Sequence, residues 1–363
     1  MKIGIIGCGN ISGIYLKNGQ RFKNIEVVAC ADMVIDRAKA KAREYGVAKA
    51  LTPEQLLADP DVQIVLNLTI PAVHGTVALA ALEAGKHVYN EKPLAPNRDE
   101  ARKMLSLARD KNLRIGCAPD TFFGASHQTC RKLIDDGAIG EIVGATAFMM
   151  GRGPEGWHPD PIFFYKPGGG PLLDMGPYYL TALVNMIGGV ERVCGSARAS
   201  FSERIAGHAS RKGEKIAVET PTHISGVLDF ASGAIGTITT SFDVHAHTHS
   251  NIEVYGSEGS LLVPDPNNFG GTVKLRRGGD KEWTEVAPEH GFAENSRGVG
   301  VADMASAIRT GRPNRASGDL AYHVLDIMLS ILDASEQSQY QKLNSTVERP
   351  AALPLGIAED GID

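Results

Sequence analysis

Glu91-Lys92-Pro93 closes an apolar run, His87-Val88-Tyr89-Asn90, that reads as a β-strand. A lysine at the end of a strand in a nucleotide-binding sheet faces the crevice where ligands lie, so its ammonium group is placed for catalysis. A surface lysine ahead of a turn proline is the competing reading. A second set of reactive side chains lies in Gly168-Gly169-Gly170-Pro171-Leu172-Leu173-Asp174-Met175-Gly176-Pro177-Tyr178-Tyr179. The glycine triplet allows close backbone approach, with a ligand as one candidate partner. Pro177 suits the first turn of a helix. On a helical path Asp174 and Tyr178 share one side, while Tyr179 is rotated away and packs. Taken alone, Asp174 reads equally as a helix cap and Tyr178 as a core aromatic.

The residues that give Lys92 a partner begin at the N-terminus. Gly7-Cys8-Gly9-Asn10-Ile11-Ser12 follows the first strand directly and opens a helix. Gly7 permits the tight turn and Gly9 lets the backbone approach a pyrophosphate. The helix N-terminus offers N–H donors and positive dipole to that anion. Ser12 stands where the fingerprint has its third glycine, with Gly13 next. Asp32 closes the second strand, where a carboxylate accepts hydrogen bonds from the adenosine ribose and repels a 2′-phosphate. That selects NAD over NADP, and Arg37 softens the discrimination. Thr69 and Pro71 fall at the C-terminal edge of the next strand of this kind. His74 starts the following helix, where it either touches the cofactor or caps the helix. Asn10, Ile11 and Glu91 complete the expected cofactor site.

These residues need a parallel sheet to hold them. Residues 3–6, 26–31, 63–68, 87–89 and 114–117 read as strands, and 35–45 and 76–84 have helical periodicity. Such alternation predicts an α/β Rossmann domain, a doubly wound parallel sheet, over residues 1–120. Thr52-Pro53-Glu54-Gln55 places an N-cap before a proline at the first helical position. After Ala118-Pro119-Asp120 the pattern changes. A helix near 126–135 leads to strand-like runs at 143–150, 192–199, 222–229, 234–240, 251–255, 260–263 and 272–275, then a helix at 321–336. Strands without intervening helices predict a second α+β domain, 121–335, with a large open, mainly antiparallel sheet. Residues 336–363 read as a C-terminal tail.

Composition narrows the partners. The chain has 363 residues, a net charge of −5 and 43% hydrophobic content, values of an ordinary soluble protein rather than a nucleic-acid binder. Five cysteines without C-x-x-C spacing indicate neither a disulfide framework nor a zinc site, and suggest a reducing cytoplasm. The opening strand leaves no room for a signal peptide, and no apolar stretch approaches the ~18–20 residues of a membrane span.

Taken together, these motifs resemble the glucose–fructose oxidoreductase / inositol dehydrogenase / rhizopine catabolism (Gfo/Idh/MocA) family of NAD(P)-dependent sugar oxidoreductases. The resemblance extends to about residue 335 and rests on residues 7–12, Asp32, Glu91-Lys92-Pro93 and residues 168–178. It implies that Lys92 is the catalytic lysine and Asp174 the aspartate of the family's second motif. Many members carry histidine where this chain has Tyr178, and a subset that includes glucose–fructose oxidoreductase carries tyrosine. Chemistry gives the pair a rationale. A phenol, with a pKa near ~10, needs a neighbouring ammonium and a positive nicotinamide to act as a base at neutral pH. Tyr178 would take the proton of the reacting hydroxyl while Lys92 polarises it, and Asp174 would orient the substrate. The reverse assignment, Lys92 as base, stays open.

The substrate reading is a sugar or cyclic polyol. Trp157 and His158, in Gly153-Pro154-Glu155-Gly156-Trp157-His158-Pro159, offer stacking and hydrogen bonding, although Trp157 is equally a packing anchor. Asp120 is a further candidate wall of the pocket. Arg152 is the one nearby cation in sequence, so an unphosphorylated substrate is expected. An aldose oxidised at C1 to a lactone is the narrower reading, with D-apiose or a similar pentose the narrowest. His245, His247 and His249 alternate along the chain and would share one face; the resemblance implies an oligomer interface or substrate rim there rather than a metal site. The expected partners are therefore a small sugar and further copies of the chain, as a homodimer or homotetramer through the C-terminal sheet, without nucleic acid or membrane. A redox-assisted glycosidase of the same fold and a non-catalytic NAD-binding regulator are the alternatives.

Overall fold

The computed structural model describes residues 1–357 and Ile362. They divide into two compact units. The first comprises residues 1–125 and 289–325 with the C-terminal stretch from 350. Its sheet contains β1 (Lys2–Ile6), β2 (Glu26–Ala31), β3 (Lys49–Leu51), β4 (Ile64–Asn67), β5 (His87–Asn90) and β6 (Ile115–Cys117). All pair in parallel, in the order β3-β2-β1-β4-β5-β6. Apolar side chains on both faces, such as Ile3, Ile5, Ile64 and Val65, are fully buried, as a parallel sheet flanked by crossover helices requires. Those helices are α1 (Ser12–Gly19), α2 (Ile35–Tyr45), α3 (Pro53–Ala58), α4 (His74–Glu83) and α5 (Arg98–Asp110). At α3 the expected cap is present as a full capping box between Thr52 and Gln55.

Register brings the strand ends level. Ile6 pairs with Ala31 and Asn67, Asn67 with Asn90, and Asn90 with Cys117. The residues that follow therefore emerge along one edge: Gly7, Asp32, Leu68, Glu91 and Ala118. Strand order reverses between β1 and β4, the switch point at which such sheets bind ligands.

The second unit comprises residues 126–288 and 326–349. It holds most of α6 (Ala125–Asp135), then β7 (Ile142–Met150), α7 (Gly170–Ile187), β8 (Val190–Arg198), β9 (Glu203–Ile205), β10 (Lys215–Ala217), β11 (His223–Phe230) and β12 (Ile235–Ser241). β13 (Ile252–Gly256), β14 (Gly259–Val263), β15 (Val273–Arg277) and β16 (Thr284–Val286) follow. Nine strands form one sheet, β16-β15-β14-β13-β7-β12-β11-β8-β17, whose last member is β17 (Gln341–Lys342). Every pair is antiparallel except β7 with β12. Along β11 buried and half-exposed residues alternate strictly, the signature of a sheet with one face packed. β9 and β10 form a separate ribbon.

The division departs from chain order, which corrects the expected boundaries. Residues 289–325, including α8 (Val299–Thr310), belong to the first unit rather than the second. Helix α9 (Gly318–Gln337) begins in the first unit and ends in the second. The tail expected from 336 is not separate, since residues up to 349 stay with the second unit.

Candidate active site

At the first unit's edge the glycine turn has the geometry a dinucleotide needs. Gly7 has φ +102°, and a Cβ there would stand 2.6 Å from the Leu68 carbonyl oxygen, so only glycine fits. A Cβ on Gly9 would meet nothing within 4 Å, which leaves the turn's outer side open to an approaching pyrophosphate. Ser12 takes the third-glycine position without strain, its hydroxyl donating to Gly9 O at 2.7 Å. Asp32 is half-buried, with Oδ2 accepting from Cys8 N–H and Oδ1 from Val34 N–H, both at 2.9 Å. The carboxylate thus closes the turn on itself and keeps remaining lone pairs for a ribose. Arg37 and Asn10 line a hollow of about 340 Å³ with Cys8, Gly9, Ala40 and Lys41.

Large apolar side chains surround this edge, and of these the sequence reading singled out Ile11 alone. Met33 is 93% exposed and Ile70 68%, with Ile11, Val34 and Val73 also exposed. They follow β1, β2 and β4 directly, where solvated loops would carry polar residues. Flat heterocycles of a nicotinamide–adenine cofactor would cover them. Their signal was in the sequence: apolar residues persisting past the strand ends. Thr69 and Pro71 are half-buried on the same edge.

Three expected site residues turn inward instead. His74 is fully buried, with Nδ1 2.7 Å from Pro93 O and Nε2 3.0 Å from Thr69 O. It therefore neither touches a cofactor nor caps α4 through its side chain. Burial also pushes its pKa down, against the pull of those two carbonyls. Glu91 is committed to the chain: Oε1 accepts from Tyr15 OH at 2.8 Å and Oε2 from Lys92 N–H at 2.9 Å. It holds the turn that presents half-buried Lys92. Asp120 is 1% exposed and is not a pocket wall. Its Oδ2 accepts from Gly298 and Gly300 N–H at 2.8 and 3.1 Å, stabilising the start of α8. Burial pushes its carboxyl up to about 6, with the two N–H donors opposing.

In the second unit Asp174 and Tyr178 both lie on α7, one turn apart as expected. The helix begins earlier than expected, however. Pro171 occupies its first turn and Pro177 its interior. Asp174 is accordingly mid-helix and half-exposed rather than a cap, and Tyr178 is 9% exposed. Tyr179 packs, its hydroxyl accepting from Asn251 Nδ2 at 2.9 Å. Two glycines of the triplet approach their own chain, whereas a Cβ on Gly168 would meet nothing within 4 Å. A Cβ on Gly169 would lie 2.5 Å from Phe163 O, and one on Gly170 2.8 Å from Pro221 O.

The loop before α7 is pinned beneath and open above. Glu155 is buried, accepts from the Tyr165 hydroxyl and lies 3.4 Å from Arg204 Nε. Arg204, also buried, reaches Asp243 Oδ1 at 3.3 Å. Above this cluster Trp157 is 66% exposed, too open for a packing anchor, and its ring edges onto half-buried His158 at 5.4 Å. Arg152 is exposed, 3.4 Å from His245 Nε2. His247 reaches Met150 O and His249 stacks on Phe148, so the three histidines spread along the end of β7. Among the described residues no group of His, Cys, Asp or Glu could hold a metal ion.

Residues 1–118 match the model of an oxidoreductase family with an NAD-binding Rossmann fold, and residues 127–262 match the GFO/IDH/MocA C-terminal domain. The chain belongs to the Gfo/Idh/MocA family. It is an NAD-binding oxidoreductase, as the turn at Gly7 and the carboxylate of Asp32 suggest. Among relatives of this family, 1,5-anhydro-D-fructose reductase of Ensifer adhaerens is 28% identical over 94% of this chain and 98% of its own. Myo-inositol 2-dehydrogenase of Thermotoga maritima is 28% identical over 72% and 75%. A solved structure of levoglucosan dehydrogenase in complex with NADH and levoglucosan superposes with a TM-score of 0.81 at 21% identity, over 94% and 99%. That likeness extends the shared fold over nearly the whole chain.

Proposed function

We propose that this oxidoreductase oxidises a hydroxyl of an unphosphorylated sugar or cyclic polyol with NAD⁺. The observation that carries the reading is the position of Lys92, one residue past the strand-end level that Gly7 and Asp32 define. When bound, NAD⁺ supplies the hydride acceptor. Lys92 donates to the reacting oxygen and stabilises negative charge on it. Tyr178, rooted in the buried face of α7, takes the hydroxyl proton, and Asp174 orients a neighbouring hydroxyl. Lys92 as the base is the variant reading of the same pair. Relatives named as dehydrogenases of myo-inositol, levoglucosan and D-glucosides support the substrate class.

The Trp157 loop supports an uncharged substrate. Two nearby cations are neutralised by acids, Arg204 by Glu155 and Asp243 and Arg211 by Asp160 and Glu214, while Arg152 stands exposed beside His245. Exposed Trp157 supplies a flat face for a sugar ring, with His158 beside it. Within this class we favour an aldose oxidised at C1, with D-apiose or a similar pentose as the narrow choice. A homodimer or homotetramer would form through the sheet, where Val143 and Ile235 are 62% and 58% exposed. A cytoplasmic setting would suit the five free cysteines.

Absorbance at 340 nm with NAD⁺ and a panel of pentoses, hexoses, their phosphates and inositols tests the reading. NADH should appear with at least one unphosphorylated member. NAD binding without oxidation of any member would turn the assignment toward a regulator. Release of free sugar from a glycoside without net NADH would turn it toward a glycosidase.

A further inference from the structure

Three buried polar side chains at the first unit's edge have no role in the chemistry described so far. Asn67 and Asn90 end β4 and β5, pair in register and are fully buried, as is His74 at the start of α4. Apolar residues would serve a doubly covered parallel sheet better, because buried polar groups cost stability unless bonded. Here they are bonded, and to specific places. Asn67 Nδ2 donates to Asn90 Oδ1 at 3.0 Å and to His74 O at 3.1 Å. Asn67 Oδ1 accepts from the Thr69 hydroxyl at 2.6 Å. Asn90 Nδ2 donates to Leu94 O at 2.9 Å. The His74 ring lies between Pro93 O and Thr69 O.

The bonds end on two turns. One follows β4 and carries Thr69 and Pro71; the other follows β5 and carries Lys92. The first turn runs into a short 3-10 helix at Pro71–Val73, whereas the X-Pro sequence at Lys92-Pro93 gives the second no N–H at residue 93 with which to anchor itself. We propose that His74, with the Asn67–Asn90 pair, is a positioning brace that fixes the Lys92 turn against the turn after β4. It would set where the ammonium stands relative to bound cofactor without touching either cofactor or substrate. Only one nitrogen of a neutral imidazole donates, so one of the two carbonyl contacts is a bond and the other a close approach. A glutamine keeps an N–H donor for one of these carbonyls; a phenylalanine fills the space and removes it.

The inference rests on Lys92 being catalytic, and the experiment separates the two. His74→Phe, His74→Gln and Lys92→Ala are compared in the panel assay with the best aldose or polyol. NAD⁺ binding by intrinsic fluorescence and hydrogen exchange over residues 89–97 of the cofactor-free protein are measured alongside. The brace predicts that His74→Phe lowers kcat by about 10–100-fold, the cost of a small misplacement. It should leave the Kd for NAD⁺ within about twofold, a change too small to register as lost binding energy. Exchange at 89–97 should accelerate while peptides of β1 keep their protection, and His74→Gln should restore both readouts. If His74→Phe does not fold, the double variant Asn67→Val/Asn90→Leu, which removes both carboxamides together, decides by the same measures. Wild-type kcat and unchanged exchange in the folded variant, with Lys92→Ala inactive, would overturn the brace alone. Normal turnover by Lys92→Ala would overturn the catalytic reading beneath it.

Discussion

The two units build their candidate groups in different ways. In the first, each reactive position is held by backbone geometry and buried polar bonds. Gly7 is forced by the Leu68 carbonyl, Asp32 is bonded to two turn N–H groups, and Lys92 follows a carboxylate locked to Tyr15. In the second, Asp174 and Tyr178 rely on one long helix, and Trp157 stands exposed on a loop pinned by the Glu155–Arg204 cluster. Under the proposed function the contrast would separate tasks with different tolerances. Hydride transfer, which fails with small displacements, would fall to groups on over-determined turns. Sugar recognition, which tolerates adjustment, would fall to an exposed ring on a loop.

The sharpest way to break this division is through Tyr178, the one second-unit residue assigned to proton transfer. Tyr178→Phe should lower kcat by about 10²–10⁴-fold with KM little changed. A rise in KM alone would leave chemistry entirely to the first unit. Next in size is the buried support beneath the first unit's edge. Asp120 has its carboxyl raised from 3.8 to about 6, so folding binds its proton more tightly than the unfolded chain does. That contribution is full below the unfolded value and is lost as pH rises through about 6. Asp120→Asn does not titrate, so its stability relative to wild type should increase by ~3 kcal/mol between acid and neutral pH, read by urea unfolding. The difference also cancels the opposite trend of buried His74 and His127 and half-buried His87, whose pKa values burial lowers.

Asp32→Ala comes third. It removes the acceptor for two turn N–H groups as well as the proposed ribose partner, and NAD⁺ binding by calorimetry should weaken about 10–100-fold. NADP⁺ should weaken less, which narrows the preference. Equal weakening of both would mean that Asp32 only shapes the turn. Trp157→Ala should have the smallest effect. Sugar KM should rise by up to about tenfold with kcat and NAD⁺ affinity retained, in keeping with the stacking energy of an exposed ring. A large fall in kcat instead would place precise positioning in the loop and erase the contrast.

What the sequence made legible follows the same division between local and distant causes. The strands of the first unit, the glycine turn and α2 are local patterns, and α2 falls at the residues expected. Helix α8 was not legible. Residues 299–307 are all buried, so no polar face marks it as a helix. Asp120 follows a strand, a position that by sequence suggests a pocket wall. Its partners, Gly298 and Gly300, lie far along the chain and only folding brings them to it. The glycine triplet was legible as a close approach, but its neighbour is the carbonyl of Phe163, which no spacing rule predicts. His74 was visible as a helix start. That its ring would turn away from the edge toward Pro93 depends on the next strand's turn.

The central claim is that the Lys92 edge performs hydride transfer on an unphosphorylated sugar or polyol. The most direct test follows NADH at 340 nm for wild type and Lys92→Ala side by side, at saturating NAD⁺, across the same sugar panel. The account predicts oxidation of at least one unphosphorylated member by wild type. It also predicts a loss of at least about 10²-fold in Lys92→Ala, which should still bind NAD⁺. Turnover by Lys92→Ala near the wild-type rate would contradict it.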